Sequence, residues 1–147
     1  MNNDNIWEKL NLTHDDIIIA STIKSGTTWL QQIVAQLIHK GEFTYKLSDV
    51  SFWVDTIREY SEEEMLYKIS EQKHRRFMKT HSPASVVLTN KNKEAKFIFI
   101  TRDFRDVVWS FYNHFVNSKY KFKNEDEGVT LKLRDSNSPY DFWSIIM

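Results

Sequence analysis

The chain has 147 residues, 41% of them hydrophobic and 14% aromatic, with only 3 glycines and 2 prolines. That is the composition of one globular domain with a core, not of a disordered or fibrous chain. Charge is balanced, 20 Lys and Arg against 20 Asp and Glu, so bulk electrostatics favours neither a nucleic-acid nor a membrane partner, and the absence of cysteine excludes disulfides, thiolate metal sites and a catalytic thiol.

Met1 to Asn5 reads Met-Asn-Asn-Asp-Asn, with no basic or apolar leader region. No apolar run approaches the roughly 20 residues of a membrane span. The expectation is a cytosolic protein. His14, Asp15 and Asp16 read as a solvated turn. Ile17 to Ala20 is short, β-branched and apolar on nearly every residue, the pattern of a parallel strand buried on both faces. From Trp29 onward Leu30, Ile33, Val34, Leu37 and Ile38 share one helical stripe, with Gln31, Gln32 and Gln36 off it. His39, Lys40 and Gly41 form a basic last turn and a glycine stop.

Ser61-Glu62-Glu63-Glu64 predicts a capping box opening a helix toward Gln72. Arg76 to Thr80 predicts a second strand, with His74 and Arg75 on the surface before it. Lys96 to Thr101 predicts a third strand. After Arg102 and Asp103 a helix follows, striped by Val107, Val108, Phe111, Tyr112, Phe115 and Val116, with His114 packing on it. Strand–loop–helix thus occurs twice, which predicts an α/β domain with a parallel sheet over residues 1–147. Lys119 to Ser138 is polar and reads as a loop, and Tyr140 to Met147 turns apolar again.

The chemistry concentrates where the first strand meets the first helix. Lys24, Ser25, Gly26, Thr27 and Thr28 supply a cation, a glycine and hydroxyls at a helix N-terminus. There backbone N–H groups converge and the helix dipole favours an anion. A phosphate or sulfate ester is the expected ligand. The loop is not the standard nucleotide pattern, because Lys24 precedes Gly26 instead of following it. That argues against a magnesium-dependent kinase or NTPase. Lys79-Thr80-His81 places a histidine at a strand end, where open α/β sheets hold their sites and where imidazole can act as a base near neutrality. Arg102, also at a strand end, can grip a phosphate bidentately; a simple pairing with Asp103 or Asp106 is the alternative. Ser110 lies about two turns along the following helix. Trp7, Phe52 and Trp53 fit an aromatic pocket wall and a packed core equally well, and Trp29 fits core or ligand. No histidine pair has metal-ligand spacing backed by acidic residues.

Lys24-Ser25-Gly26-Thr27-Thr28-Trp29, then Lys79-Thr80-His81, then Arg102 with Ser110, in this order and spacing, resemble the cytosolic-type sulfotransferase family over roughly residues 15 to 118. The resemblance implies a P-loop-like parallel sheet flanked by helices. It also implies sulfuryl transfer from 3′-phosphoadenosine 5′-phosphosulfate (PAPS) to a small-molecule hydroxyl or amine, with adenosine 3′,5′-bisphosphate (PAP) as product and no metal. Carried over residue by residue, it makes Lys24 the electrostatic catalyst on the 5′-phosphosulfate. Ser25, Gly26, Thr27 and Thr28 become the phosphate cradle and Trp29 the adenine stack. Lys79 assists the bridging region, His81 is the general base, and Arg102 and Ser110 hold the 3′-phosphate.

Two family prolines are replaced, by Ile23 and Phe104, which leaves both loops less rigid. The resemblance also implies a later Gly-rich loop with an Arg-Lys-Gly core that completes the 3′-phosphate site. Here Gly128 is the last glycine and Arg134 the only basic residue after Lys132. The chain therefore reads as the N-terminal part of the family domain, shortened naturally or as a fragment. Self-association covering an apolar flank is expected. The competing function is a catalytically incomplete nucleotide-binding or assembly module.

Overall fold

A computed structural model describes residues 6–56, 60–89, 94–117 and 138–146. They form two compact units, one ending at Thr101 and the other beginning at Arg102. In the first unit the elements run α1 (Ile6–Lys9), β1 (Ile17–Ser21), α2 (Thr27–Ile38), α3 (Leu47–Val50), α4 (Glu62–Ser70), β2 (Phe77–Thr80), α5 (Ala84–Val87) and β3 (Lys96–Ile100).

The three strands form a parallel sheet in the order β2-β1-β3. Ala20 is in register with Thr80 and Ser21 with Ile100, so all three strands deliver their carboxyl ends to one edge. The central strand is buried on both faces because its side chains alternate. Ile18 packs with Met78, Trp7, Phe52, Val54, Met65 and Ile69 on one face. Ile17 and Ile19 pack with Phe77, Val34 and Ala35 of α2 on the other. An unbroken apolar run is what that arrangement requires. Trp7 and Phe52 are therefore core residues.

Several local expectations need correction. Asp16 is 2% exposed, not part of a solvated turn. Its carboxylate takes a bidentate pair from Arg76 (2.7 Å from Nε and 2.5 Å from the terminal nitrogen) and the Thr13 N–H, which ties the starts of β1 and β2 together. His74 is half-buried, its ring 5.5 Å from that of His39 and 6.0 Å from that of Phe77. On α2, Leu37 is 74% exposed whereas Gln31 is 3% exposed. Gln31 earns burial by donating to the hydroxyl of Ser51 at 2.8 Å. The last turn of α2 closes with Gly41 N–H on the Gln36 carbonyl (2.8 Å) and Lys40 N–H on the Leu37 carbonyl (3.4 Å). That is a Schellman closure. The residue forced left-handed just beyond the cap is Lys40, at φ 53°, with Gly41 following at 86°.

The capping box is present: Ser61 accepts from the Glu64 N–H and Glu64 accepts from the Ser61 N–H. The Glu64 carboxyl is held below its usual range, chiefly by its hydrogen bonds with Ser61.

The second unit contains α6 (Phe104–Asn117) and α7 (Pro139–Ile146). They meet through an edge-on pair of Phe104 and Trp143 with ring centroids 4.7 Å apart. Val107 is buried on α6, while His114 is exposed instead of packed. The polar stretch read as a loop lies, up to residue 137, outside the described residues, as does Met147. Among the described residues no helix is long and apolar enough to cross a membrane.

Candidate functional site

The strand-end edge of the first unit gathers the β1–α2 loop, the end of β2 and residues 51–56. The loop from Ser21 to Gly26 turns sharply. Lys24 sits in the left-handed region at φ 59° and Gly26 at φ 99°. A Cβ on Gly26 would meet Ile100 Cδ1 at an ordinary 3.5 Å, so backbone conformation, not space, demands glycine there. Gly26 is also the N-cap of α2, and no side chain caps that helix. Its first-turn N–H groups thus face the loop with no cap hydroxyl on them, which is the arrangement that receives an anion. A left-handed lysine at such a turn is stored backbone strain.

The hydroxyls of the loop are ordered by one another. Thr22 and Ser25 share a hydrogen bond of 2.6 Å, and Ser21 and Thr27 one of 2.5 Å. Ser25 and Thr27 are buried, at 5% and 6% exposure. Thr28 and Trp29 are exposed, Trp29 by 69%, so Trp29 is not a core residue. An exposed indole at the first turn of a helix is available for stacking.

His81 follows β2 directly. Its Nδ1 lies 2.9 Å from the carbonyl oxygen of Ser21 and 3.4 Å from that residue's hydroxyl. A carbonyl only accepts, so Nδ1 carries the proton and Nε2 keeps the lone pair in the neutral ring. That is the tautomer a base needs. Burial lowers the pKa of His81 most strongly; the Ser21 carbonyl opposes this, the Lys79 charge adds to it, and Asp55 opposes it. His81 therefore stays neutral to lower pH than an ordinary histidine. Lys79 is half-buried with its ammonium 4.7 Å from the centre of the Trp53 ring. Burial lowers its pKa and Asp55 works against that. Trp53 is also edge-on to His81 at 5.2 Å, so the tryptophan that fitted wall or core stands beside the candidate base.

Asp55 was not legible as a site residue. It is 5% exposed and accepts from Trp7 Nε1 (3.2 Å), Trp53 Nε1 (3.1 Å), Thr80 Oγ1 (2.7 Å) and the His81 N–H. The available signal was an aspartate two residues after Trp53, in a segment that pairs with β2 only in three dimensions: Lys79 N–H bonds the Phe52 carbonyl and Val54 N–H the Lys79 carbonyl.

The first unit thus brings together Lys24 to Trp29, Lys79 and His81. Arg102 and Ser110 belong to the second unit. There Arg102 pairs with Asp106 at 3.6 Å, with its side chain 41% exposed, and Ser110 is half-buried on α6. Among the described residues no cluster of three or more His, Cys, Asp or Glu is arranged to hold a metal.

A family profile for the sulfotransferase domain matches residues 14–144. The chain belongs to the sulfotransferase family. A glycolipid sulfotransferase of Mycobacterium tuberculosis (strain ATCC 25618 / H37Rv) is 38% identical over 140 residues, which cover 93% of this chain and 40% of that protein. The fold is also shared with solved structures. Retinol dehydratase in complex with retinol and PAP superposes with a TM-score of 0.65 at 23% identity, over 96% of this chain and 48% of the other. Mouse sulfotransferase SULT7A1 complexed with PAP gives 0.59 at 23% identity, over 90% and 46%. The chain spans about 40% of the length of the mycobacterial sulfotransferase.

Proposed function

We propose that this chain carries the donor loop and the base of a sulfotransferase that moves a sulfuryl group from PAPS to a hydroxyl or amine on a small molecule. The observation that carries the reading is the link between loop and base. Ser21 accepts from His81 Nδ1 through its carbonyl and bonds Thr27, inside the first turn of α2, through its hydroxyl. One residue thus sets the base's tautomer and orders the anion-receiving turn. The solved relatives with bound PAP support the same ligand here.

In this reading the first-turn N–H groups of α2, with Ser25, Gly26, Thr27 and Thr28, hold the 5′-phosphate. Lys24 offsets the charge that grows on it as the bond to sulfur breaks. Trp29 stacks on the adenine. His81 Nε2 takes the acceptor's proton as the new O–S or N–S bond forms, with Lys79 beside it. Arg102 and Ser110 bind the 3′-phosphate. PAPS supplies the sulfuryl group. Positioning and electrostatic stabilisation carry most of the catalysis, as in phosphoryl transfer.

The test is transfer of labelled sulfate from PAPS to a panel of phenols, alcohols and amines, with His81→Asn as control. Turnover that the control lowers by on the order of a hundredfold or more supports the reading. Donor binding without turnover on any acceptor would leave a nucleotide-binding module instead.

A further inference from the structure

Asp55 lies outside the motifs that define the site, yet three of its four hydrogen-bond donors belong to residues in or beside it. We infer that Asp55 is a positioning residue, holding His81 by its backbone and Lys79 by way of Trp53 in their working orientation. The inference rests on the reading of His81 as the base.

A carboxylate that is 5% exposed is costly unless its lone pairs are met. Here four donors meet them, two on each oxygen. Oδ1 takes the Trp7 indole and the Thr80 hydroxyl; Oδ2 takes the Trp53 indole and the His81 N–H. Only an ionised carboxylate accepts on both oxygens in this way. A carboxamide would turn its NH2 toward two donors.

The four donors are not equivalent. Trp7 is 0% exposed in the core and anchors the carboxylate to it. Thr80 and His81 are consecutive residues leaving β2. Trp53, the fourth donor, also meets His81 edge-on and lies beneath the Lys79 ammonium. Thr80 gives its hydroxyl to Asp55 and also receives the Ser82 N–H at 3.0 Å, which fixes the turn on both sides of His81. Asp55 therefore ties core, strand end and base into one rigid piece.

Its charge has a second consequence. The charged groups facing His81 are Lys79 on β2 and Asp55 on residues 51–56. When His81 takes a proton, the carboxylate favours the imidazolium that Lys79 opposes.

The experiment follows the His81 ring proton by NMR through a pH titration in the native chain, Asp55→Asn and Trp53→Phe, with PAP titrated into each by calorimetry. Asp55→Asn is expected to lower the His81 midpoint, because a facing negative charge is gone. Trp53→Phe is expected to raise it, because Oδ2 loses a donor and the ring that shields His81 shrinks. PAP affinity should stay within about threefold in both, while Asp55→Asn lowers kcat by on the order of tenfold or more. A merely structural role would lower the melting temperature and leave both midpoints in place, which would overturn the inference. If Asp55→Asn does not fold, Trp53→Phe at its half-buried position decides alone, and an unmoved midpoint counts against the inference. Midpoints that move as expected in a chain that never binds PAP would remove the proposed function and leave the link from Asp55 to His81 standing.

Discussion

At Lys24, the proposed function and stability pull in opposite directions. A non-glycine residue at φ 59° carries roughly 1 to 2 kcal/mol of backbone strain. Lys24→Gly should relieve it and raise stability in urea melts by about 1 kcal/mol. The same change should weaken PAP binding at least tenfold through loss of a charge-assisted contact. A variant that loses stability and keeps affinity would contradict that assignment. At His81 the sign of the pH effect follows from its lowered pKa. The unfolded chain binds the proton more readily than the folded one. The contribution of His81 to stability is therefore complete above the ordinary histidine value of about 6.5 and is lost as pH falls from there through the folded value. In turnover, the acidic limb of the rate profile should sit below that ordinary value. A limb at or above it would mean that another group titrates.

Among the elements, the sheet was readable and the joints were not. Ile17 to Ala20 declares itself because both faces of the central strand are buried, and Lys96 to Ile100 declares itself by its run of aromatic and β-branched residues, although at the sheet edge Phe99 stays exposed. Ser61 and Glu64 declare the start of α4 because a capping box is local chemistry. Asp16 with Arg76, and Asp55 with His81, were hidden because each bond spans some 60 or 26 residues of chain. A charged residue beside a strand looks solvated until its partner is known. The β1–α2 loop and Lys79-Thr80-His81 were legible as ordered motifs, whereas the tautomer of His81 depends on the Ser21 carbonyl, which only the register of β1 with β2 supplies. The buried pair gives a strong prediction: Arg76→Ala strands the Asp16 carboxylate and should cost about 3 to 5 kcal/mol, measured by urea unfolding. Loss of under 1 kcal/mol would mean that water reaches Asp16. At the end of α2 the reverse holds. Lys40→Gly, at φ 53°, should stabilise the chain by about 1 kcal/mol, and a destabilised variant would contradict the Schellman assignment.

On the scale of the whole molecule, exposed apolar side chains stand out. Trp29, Leu37, Phe99, Phe104, Trp109 and Tyr140 are each more than half exposed, and β3 is an edge strand among the described residues. Exposed apolar surface of this kind seeks cover. Sedimentation equilibrium should show concentration-dependent self-association, and a well-behaved monomer at tens of micromolar would contradict it. The central claim is that the β1–α2 loop binds the 5′-phosphate of PAPS and PAP. The most direct measurement is calorimetric titration of PAP into the chain beside Lys24→Ala. Micromolar binding, about −8 kcal/mol, that weakens at least tenfold in Lys24→Ala is the predicted result. Absence of binding, or equal affinity in the two proteins, would contradict it.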